Sequence, residues 1–134
     1  MSQLNDTIKQ VISRQTLFSF ATADSQGNIN LIPIKFVFIE NNTTLWIVDN
    51  FMEKTRHNLL DNPQAALNVI DPQIECAVQI KGRIQIETEG LRYTAMRQQV
   101  LSLQPSAPAK ALLVMSIDTI YDCWPGKTIG QRLP

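Results

Sequence analysis

The stretch best suited to chemistry is Asp49-Asn50-Phe51-Met52-Glu53-Lys54-Thr55-Arg56-His57-Asn58. It reads as a strand end, a capping Asn or Asp, and a helix whose first turns carry an ammonium and a hydroxyl. Backbone N–H groups at a helix start lack intrahelical partners and lie at the positive end of the helix dipole, so Lys54 and Thr55 complete an anion site of phosphate size. Glu53 works against it, because a carboxylate beside a phosphate repels it unless it points away. The competing reading is an exposed helix whose Lys54 pairs with Glu53 or Asn58, and local sequence favours neither. A second clue is Pro33, inside an apolar run. Proline gives no N–H to a strand ladder, so it belongs at an edge or opening where neighbouring backbone can meet a ligand's heterocyclic edge. An opening beside an anion site suits a phosphorylated flat ring; the plainer alternative is an edge strand covered by protein.

Other chemistries lack their parts. His57 is the single histidine, and no Gly-x-Ser-x-Gly elbow presents a nucleophile, so a hydrolytic triad has little to stand on. One histidine with Cys76 and Cys123 far apart gives no zinc spacing and no disulfide framework, and no metal site is expected. Gly126-Lys127-Thr128 resembles the end of a P-loop, but Tyr121 stands where the first glycine is required. There is no GxGxxG. No side chain presents itself as a general acid or base, and catalytic residues are left unassigned.

The elements that must position these residues follow from periodicity. Leu4, Ile8, Val11 and Ile12 recur at helical spacing and predict a helix over 4–14 that acts as a lid. Residues 17–23 predict a strand, 24–28 a turn, and 29–39 a second strand apolar on both faces. Ile29, Leu31, Pro33, Val37 and Ile39 would point one way and Ile32, Ile34, Phe36 and Phe38 the other. An antiparallel strand normally keeps one wet face, so a helix, a ligand or a second subunit must cover this one. A short strand over 44–48 pairs next in order. A helix over 51–61 follows, with Thr55, Leu59 and Leu60 on one side, stopped by Asn62-Pro63. Residues 65–70 and 74–87 read as strands. In the latter, Gly82 falls where an apolar side chain is due, which is how long barrel strands bend or let another backbone approach, and it reads as a barrel corner. A second amphipathic helix over 88–103, a loop at 105–108 and a strand over 110–117 complete the pattern. Six short strands with turns and few helices predict a mainly β fold, a small six-stranded antiparallel barrel with two or three flanking helices.

The chain of 134 residues, 44% hydrophobic and 18% charged with five Gly and seven Pro, is expected to form a single domain over 1–134. Twelve basic residues balance twelve acidic ones, which removes the positive field that nucleic acid or an anionic membrane would require. With no signal-like start and no long apolar run, the expected location is the cytoplasm and no membrane is engaged.

Taken in order, Asn30-Leu31-Ile32-Pro33-Ile34, Leu45-Trp46-Ile47-Val48-Asp49, Lys54-Thr55-x-x-Asn58-Leu59, Asn62-Pro63 and the long strand through Gly82 and Gly90 resemble a known family. It is the FMN-binding split barrel family related to pyridoxamine 5′-phosphate oxidase, in its small flavin-binding branch of the Desulfovibrio FMN-binding protein type. The likeness runs over roughly residues 10–120. It implies a homodimer with FMN at the subunit interface, acting on a small-molecule redox substrate or an electron-transfer partner. Carried over residue by residue, Lys54 and Thr55 match the phosphate-binding pair and Asn58 the Asn of the same helix. Ile32, Pro33 and Ile34, with Lys35 after them, match the strand along the isoalloxazine, and Asp49 and Asn50 the strand end near the ribityl chain. Trp124, near Tyr121 in the tail, is expected to reach over the partner's flavin. Residues 29–39 hold no Arg, and the tail Asp122-Cys123-Trp124-Pro125-Gly126-Lys127 differs from the oxidase ending. Pyridoxamine phosphate oxidation itself is therefore not the expectation. The alternatives are a deazaflavin or a heme, the latter needing His57 as axial ligand, or a ligand-sensing dimer without catalysis.

Overall fold

The computed structural model describes residues 2–134. Helix α1 (Asp6–Arg14) begins where Asn5 accepts a hydrogen bond from the Ile8 N–H, and it buries Ile8, Val11 and Ile12. Strands β1 (Phe18–Ala23) and β2 (Ile29–Ile34) form a hairpin across a turn in which Asp24 accepts from the backbone of Gln26 and Asn28. β3 (Val37–Asn41) and β4 (Thr44–Asp49) form a second hairpin. Helix α2 (Lys54–Asp61) precedes β5 (Gln64–Asp71), and a 3₁₀ turn at Pro72–Ile74 leads into β6 (Cys76–Glu87). Helix α3 (Leu91–Leu103), β7 (Ala111–Asp122) and the two-residue β8 (Arg132–Leu133) complete the chain.

All strands join one antiparallel sheet in the order β2-β1-β5-β6-β7-β4-β3, with β8 beside β7. The mainly β expectation is met, with eight strands in place of six, and the difference lies in residues 29–39. This run is two strands, and they form opposite edges of the sheet. Only Lys35 and Phe36 separate them, so Ile34 and Val37 lie at most about 11 Å apart. A sheet whose two edges are joined by so short a link must curl until they meet at that end, which makes it a barrel split along β2 and β3.

The break also shifts the side-chain alternation. A continuous strand would keep Ile32, Ile34, Phe36 and Phe38 on one face. Instead Ile32 and Ile34 share the barrel interior with Val37 and Ile39, while Phe36 and Phe38 turn outward. They pack there with Val48, Met96, Val100, Leu112 and Val114 beneath α3. The interior is filled by Phe18, Phe20, Leu45, Ile47, Leu67, Ile80, Met115 and Ile117, and α1 closes it as the expected lid. Ile29, at 81% exposure, and Leu31, at 65%, stay uncovered on β2.

Pairing in sequence order holds between β3 and β4, whereas β2 does not pair β3 and β4 joins β7 in place of β5. The strand expected over 110–117 runs on to Asp122, and the helices expected from 51 and 88 begin at Lys54 and Leu91. On α2 the buried residues are Thr55, Asn58 and Leu59, and Leu60 is exposed. At Gly82 the β6–β7 register slips by one residue, and a Cβ there would collide with the Ser116 carbonyl. Gly82 thus permits a close backbone approach at the register shift, where the sequence reads a barrel corner. Among the described residues no helix is long and apolar enough to cross a membrane.

Candidate functional site

A cleft of about 510 Å³ opens where the edge strand β2, the link to β3, the end of β4 and the start of α2 converge. Ile32, Pro33, Ile34 and Lys35 form one wall, Asn50, Lys54 and Thr55 another. Pro33 sits on the outermost strand, as its missing N–H requires, and among the described residues the outward backbone row of β2 has no strand partner.

At one end of the cleft lies the first turn of α2, where the anion site is expected. Glu53 caps this helix without any side-chain hydrogen bond, so the first N–H groups find no acceptor in the capping side chain. Among the described residues Lys54 makes no ion pair, against the reading that pairs it with Glu53. Thr55 is 2% exposed, and its Oγ1 accepts a hydrogen bond from Asn30 Nδ2 at 2.9 Å. That bond leaves the hydroxyl proton of Thr55 available to an acceptor. At the other end, Lys35 donates to Gln104 Oε1 at 3.2 Å and lies 5.8 Å from the Phe36 ring centre. The wall between is apolar or amide: Ile32, Ile34, Phe36, Val48 and Met52 with Asn30, Asn50 and Gln104.

Three of the residues matched in sequence lie outside the cleft lining. Asp49 is fully buried, accepts from the Met52 N–H at 2.9 Å and pairs with Arg56 at 3.2 Å. Its part is positional: it bends the chain between β4 and α2 and ties down the helix that carries Lys54. Asn58 donates to Thr22 Oγ1 at 3.1 Å, fastening α2 to β1. Trp124 lies past the end of β7, and its N–H donates to Asp122. Asn50 does reach the cleft, yet its Oδ1 already accepts from the N–H of Ala109 at 2.8 Å. Ala109 has φ of 44°, a costly conformation for an alanine, and the carbonyl of the same residue accepts from Tyr93 and Arg97. His57 is exposed and absent from the cleft lining. Sequence reasoning missed Asn30, Phe51 and Gln104. A polar residue inside the apolar run of β2 marks Asn30, whereas Gln104 arrives from the end of α3 with no local signal.

The model of the pyridoxamine 5′-phosphate oxidase family matches residues 4–124. The chain belongs to this family. A relative in the archaeon Methanocaldococcus jannaschii, uncharacterized protein MJ0282, is 30% identical over 135 residues, covering 98% of this chain and 88% of its own. Among solved structures, HupZ of group A Streptococcus superposes with a TM-score of 0.82 at 24% identity, covering 95% of this chain and 99% of HupZ. An FMN-binding protein from Syntrophomonas wolfei gives 0.76 at 15% identity over 90% of this chain and 86% of that one. These two likenesses show the fold that the pyridoxamine 5′-phosphate oxidase family shares with this chain.

Proposed function

We propose that the cleft between β2 and α2 holds FMN and that the protein is a flavin-dependent oxidoreductase or electron carrier. The observation that carries this reading is the convergence of an unpartnered strand edge and the free first turn of α2 on one cleft of about 510 Å³. A flavin is a flat ring with polar edges and a distant phosphate. The residues fit that shape: Ile32, Pro33 and Ile34 line the ring position, and Lys54 and the Thr55 hydroxyl hold the phosphate. When bound, FMN supplies one- or two-electron transfer that no side chain here performs. The chain contributes orientation and water exclusion: Phe36 and Met52 dry the cleft floor, and Asp49 and Asn58 fix the angle of α2.

The same reading includes a homodimer. Leu31 and Pro33 are exposed on β2 beside the cleft, and an exposed apolar edge strand is an aggregation hazard unless something covers it. A second copy against this face would cover the strand and narrow the cleft mouth. Function inside the cytoplasm belongs to the proposal as well, since free thiols at Cys76 and Cys123 suit a reducing compartment.

The test is the visible absorption of the purified protein before and after addition of FMN, with any bound compound released and identified by mass. A flavin spectrum with FMN at one equivalent supports the reading. A Soret band would replace it with heme, and a released deazaflavin would replace the ring.

A further inference from the structure

On its phosphate side the cleft is open. A second groove, of about 530 Å³, continues from it past the start of α2, and the two share Asn30, Glu53 and Lys54. A cavity of that size lies within the range of small-molecule pockets. Space alone therefore does not stop a ligand from extending past a phosphate held at Lys54 and Thr55.

The charges along the groove do oppose such an extension. Lys54 is the single lysine or arginine that lines it. Arg56 is committed to buried Asp49, and Lys35 lies at the far end of the cleft on Gln104. Against that one ammonium stand two carboxylates. Glu53 lines both cavities and, among the described residues, makes no ion pair. Asp24 lines the groove from the turn after β1 and accepts from Gln26 N–H, Asn28 N–H and Asn28 Nδ2. Those bonds, the Asn28 side chain first, hold its carboxyl below the ordinary range, so its charge is fixed in place.

FMN and the dinucleotide FAD carry similar phosphate charge and distribute it differently. The monoester of FMN places close to two negative charges on one terminal group, which Lys54, Thr55 and the helix start can meet together. The two phosphates of FAD are joined by an anhydride and carry one charge each. With the first at Lys54, the second falls in the groove, where no further lysine or arginine answers it and the carboxylates of Asp24 and Glu53 repel it.

We infer that Asp24 and Glu53 determine which flavin the cleft accepts, admitting a terminal phosphate and turning away one that continues into a second phosphate. The inference rests on the flavin reading of the cleft and adds the selection made at its phosphate end. Selection here is by charge, in a groove whose volume would admit the rejected compound.

Calorimetric titration of the intact protein with FMN and with FAD tests it. His57 also lines the groove, so the titration is run at pH 8, above the range in which histidine side chains take up a proton. The expected Kd for FAD is at least about tenfold above that for FMN. The double variant Asp24→Asn with Glu53→Gln should lower this ratio about fivefold. Asparagine keeps the Oδ1 that Gln26 N–H and Asn28 N–H bond, and Glu53 has no side-chain cap to lose, so the turn and helix persist. Asn28→Lys, which adds an ammonium to the groove and leaves both carboxylates in place, should lower the ratio as well. A loss of fold alone would not reproduce that second result. A ratio near one in the unaltered protein, or a ratio that either variant leaves unmoved, overturns the inference and leaves the cleft reading standing. Binding of neither compound overturns both.

Discussion

The two edges of the sheet come from one run of sequence and face opposite circumstances. β3 is an edge whose apolar side chains are covered: Val37 is 8% exposed, Ile39 packs into the interior, and Phe38, with Phe36 just before the strand, lies beneath α3. β2 is an edge whose outer side chains are bare, with Ile29 at 81% and Leu31 at 65% exposure, and it borders the cleft. Nearly the same apolar composition thus does structural work on one side of Lys35 and is left bare beside the cleft on the other. Apolarity alone does not separate the two roles; what packs against each strand does.

Changes at the open edge should damage binding, and changes at the covered edge should damage folding. The largest expected effect is on flavin retention. Removing the ammonium and hydroxyl together, in Lys54→Ala with Thr55→Ala, should weaken FMN at least about 100-fold, since charge-assisted contacts to phosphate carry much of such affinity. Full retention by that double variant, read by absorbance after gel filtration, would remove the site assignment. Next comes Asp49→Ala, which strips partners from the Met52 N–H and from Arg56 and should cost about 3 kcal/mol in denaturant unfolding. An unchanged midpoint would show that Asp49 does not hold α2.

A paired test addresses the edges themselves. Val37→Ala on the covered strand should cost about 2 kcal/mol, whereas Leu31→Glu on the bare strand should change folding by about 0.5 kcal/mol or less. Leu31→Glu should instead convert the proposed dimer to monomer in light scattering. A wild-type chain that is already monomeric at micromolar concentration would contradict the proposed dimer. The smallest effect is local and pH-dependent. Asp24, through bonds from Asn28, and Asp61, through the Ser25 N–H, both titrate below the ordinary carboxylate value of 3.8. A depressed folded pKa gives a contribution present above the unfolded value and lost as pH falls through the folded one. Amide exchange at Ser25, Gln26 and Asn28, corrected for its intrinsic pH dependence, should therefore lose protection below about pH 3.8, while the β3–β4 ladder keeps its own. Equal loss at both hairpins would speak against that ranking.

Much of this arrangement is legible in the residues. Period-two alternation in β6, the Asp24–Asn28 turn and the lid helix are local signals, and each element forms where its signal lies. Pro33 declares an edge through its missing N–H, and Gly82 a close approach through its missing side chain. The split is not legible, because Lys35-Phe36 carries no turn residue and the apolar run passes through it. What breaks the strand is tertiary: Ile34 and Val37 both have interior places, which two residues of continuous strand cannot supply. The roles of Asp49 and Asn58 escaped for a similar reason. Their partners, Arg56 and Thr22, decide that they position α2 from outside the cleft lining, and the Thr22 contact spans 36 residues of sequence.

The account turns on a flavin ring in the β2–α2 cleft, and the most direct measurement is the absorption spectrum of the purified protein titrated with FMN and FAD. The expected result is a perturbed flavin band that saturates at one equivalent per chain and disappears in Lys54→Ala with Thr55→Ala. A protein that remains colourless and leaves the spectra of both compounds unchanged would contradict the account.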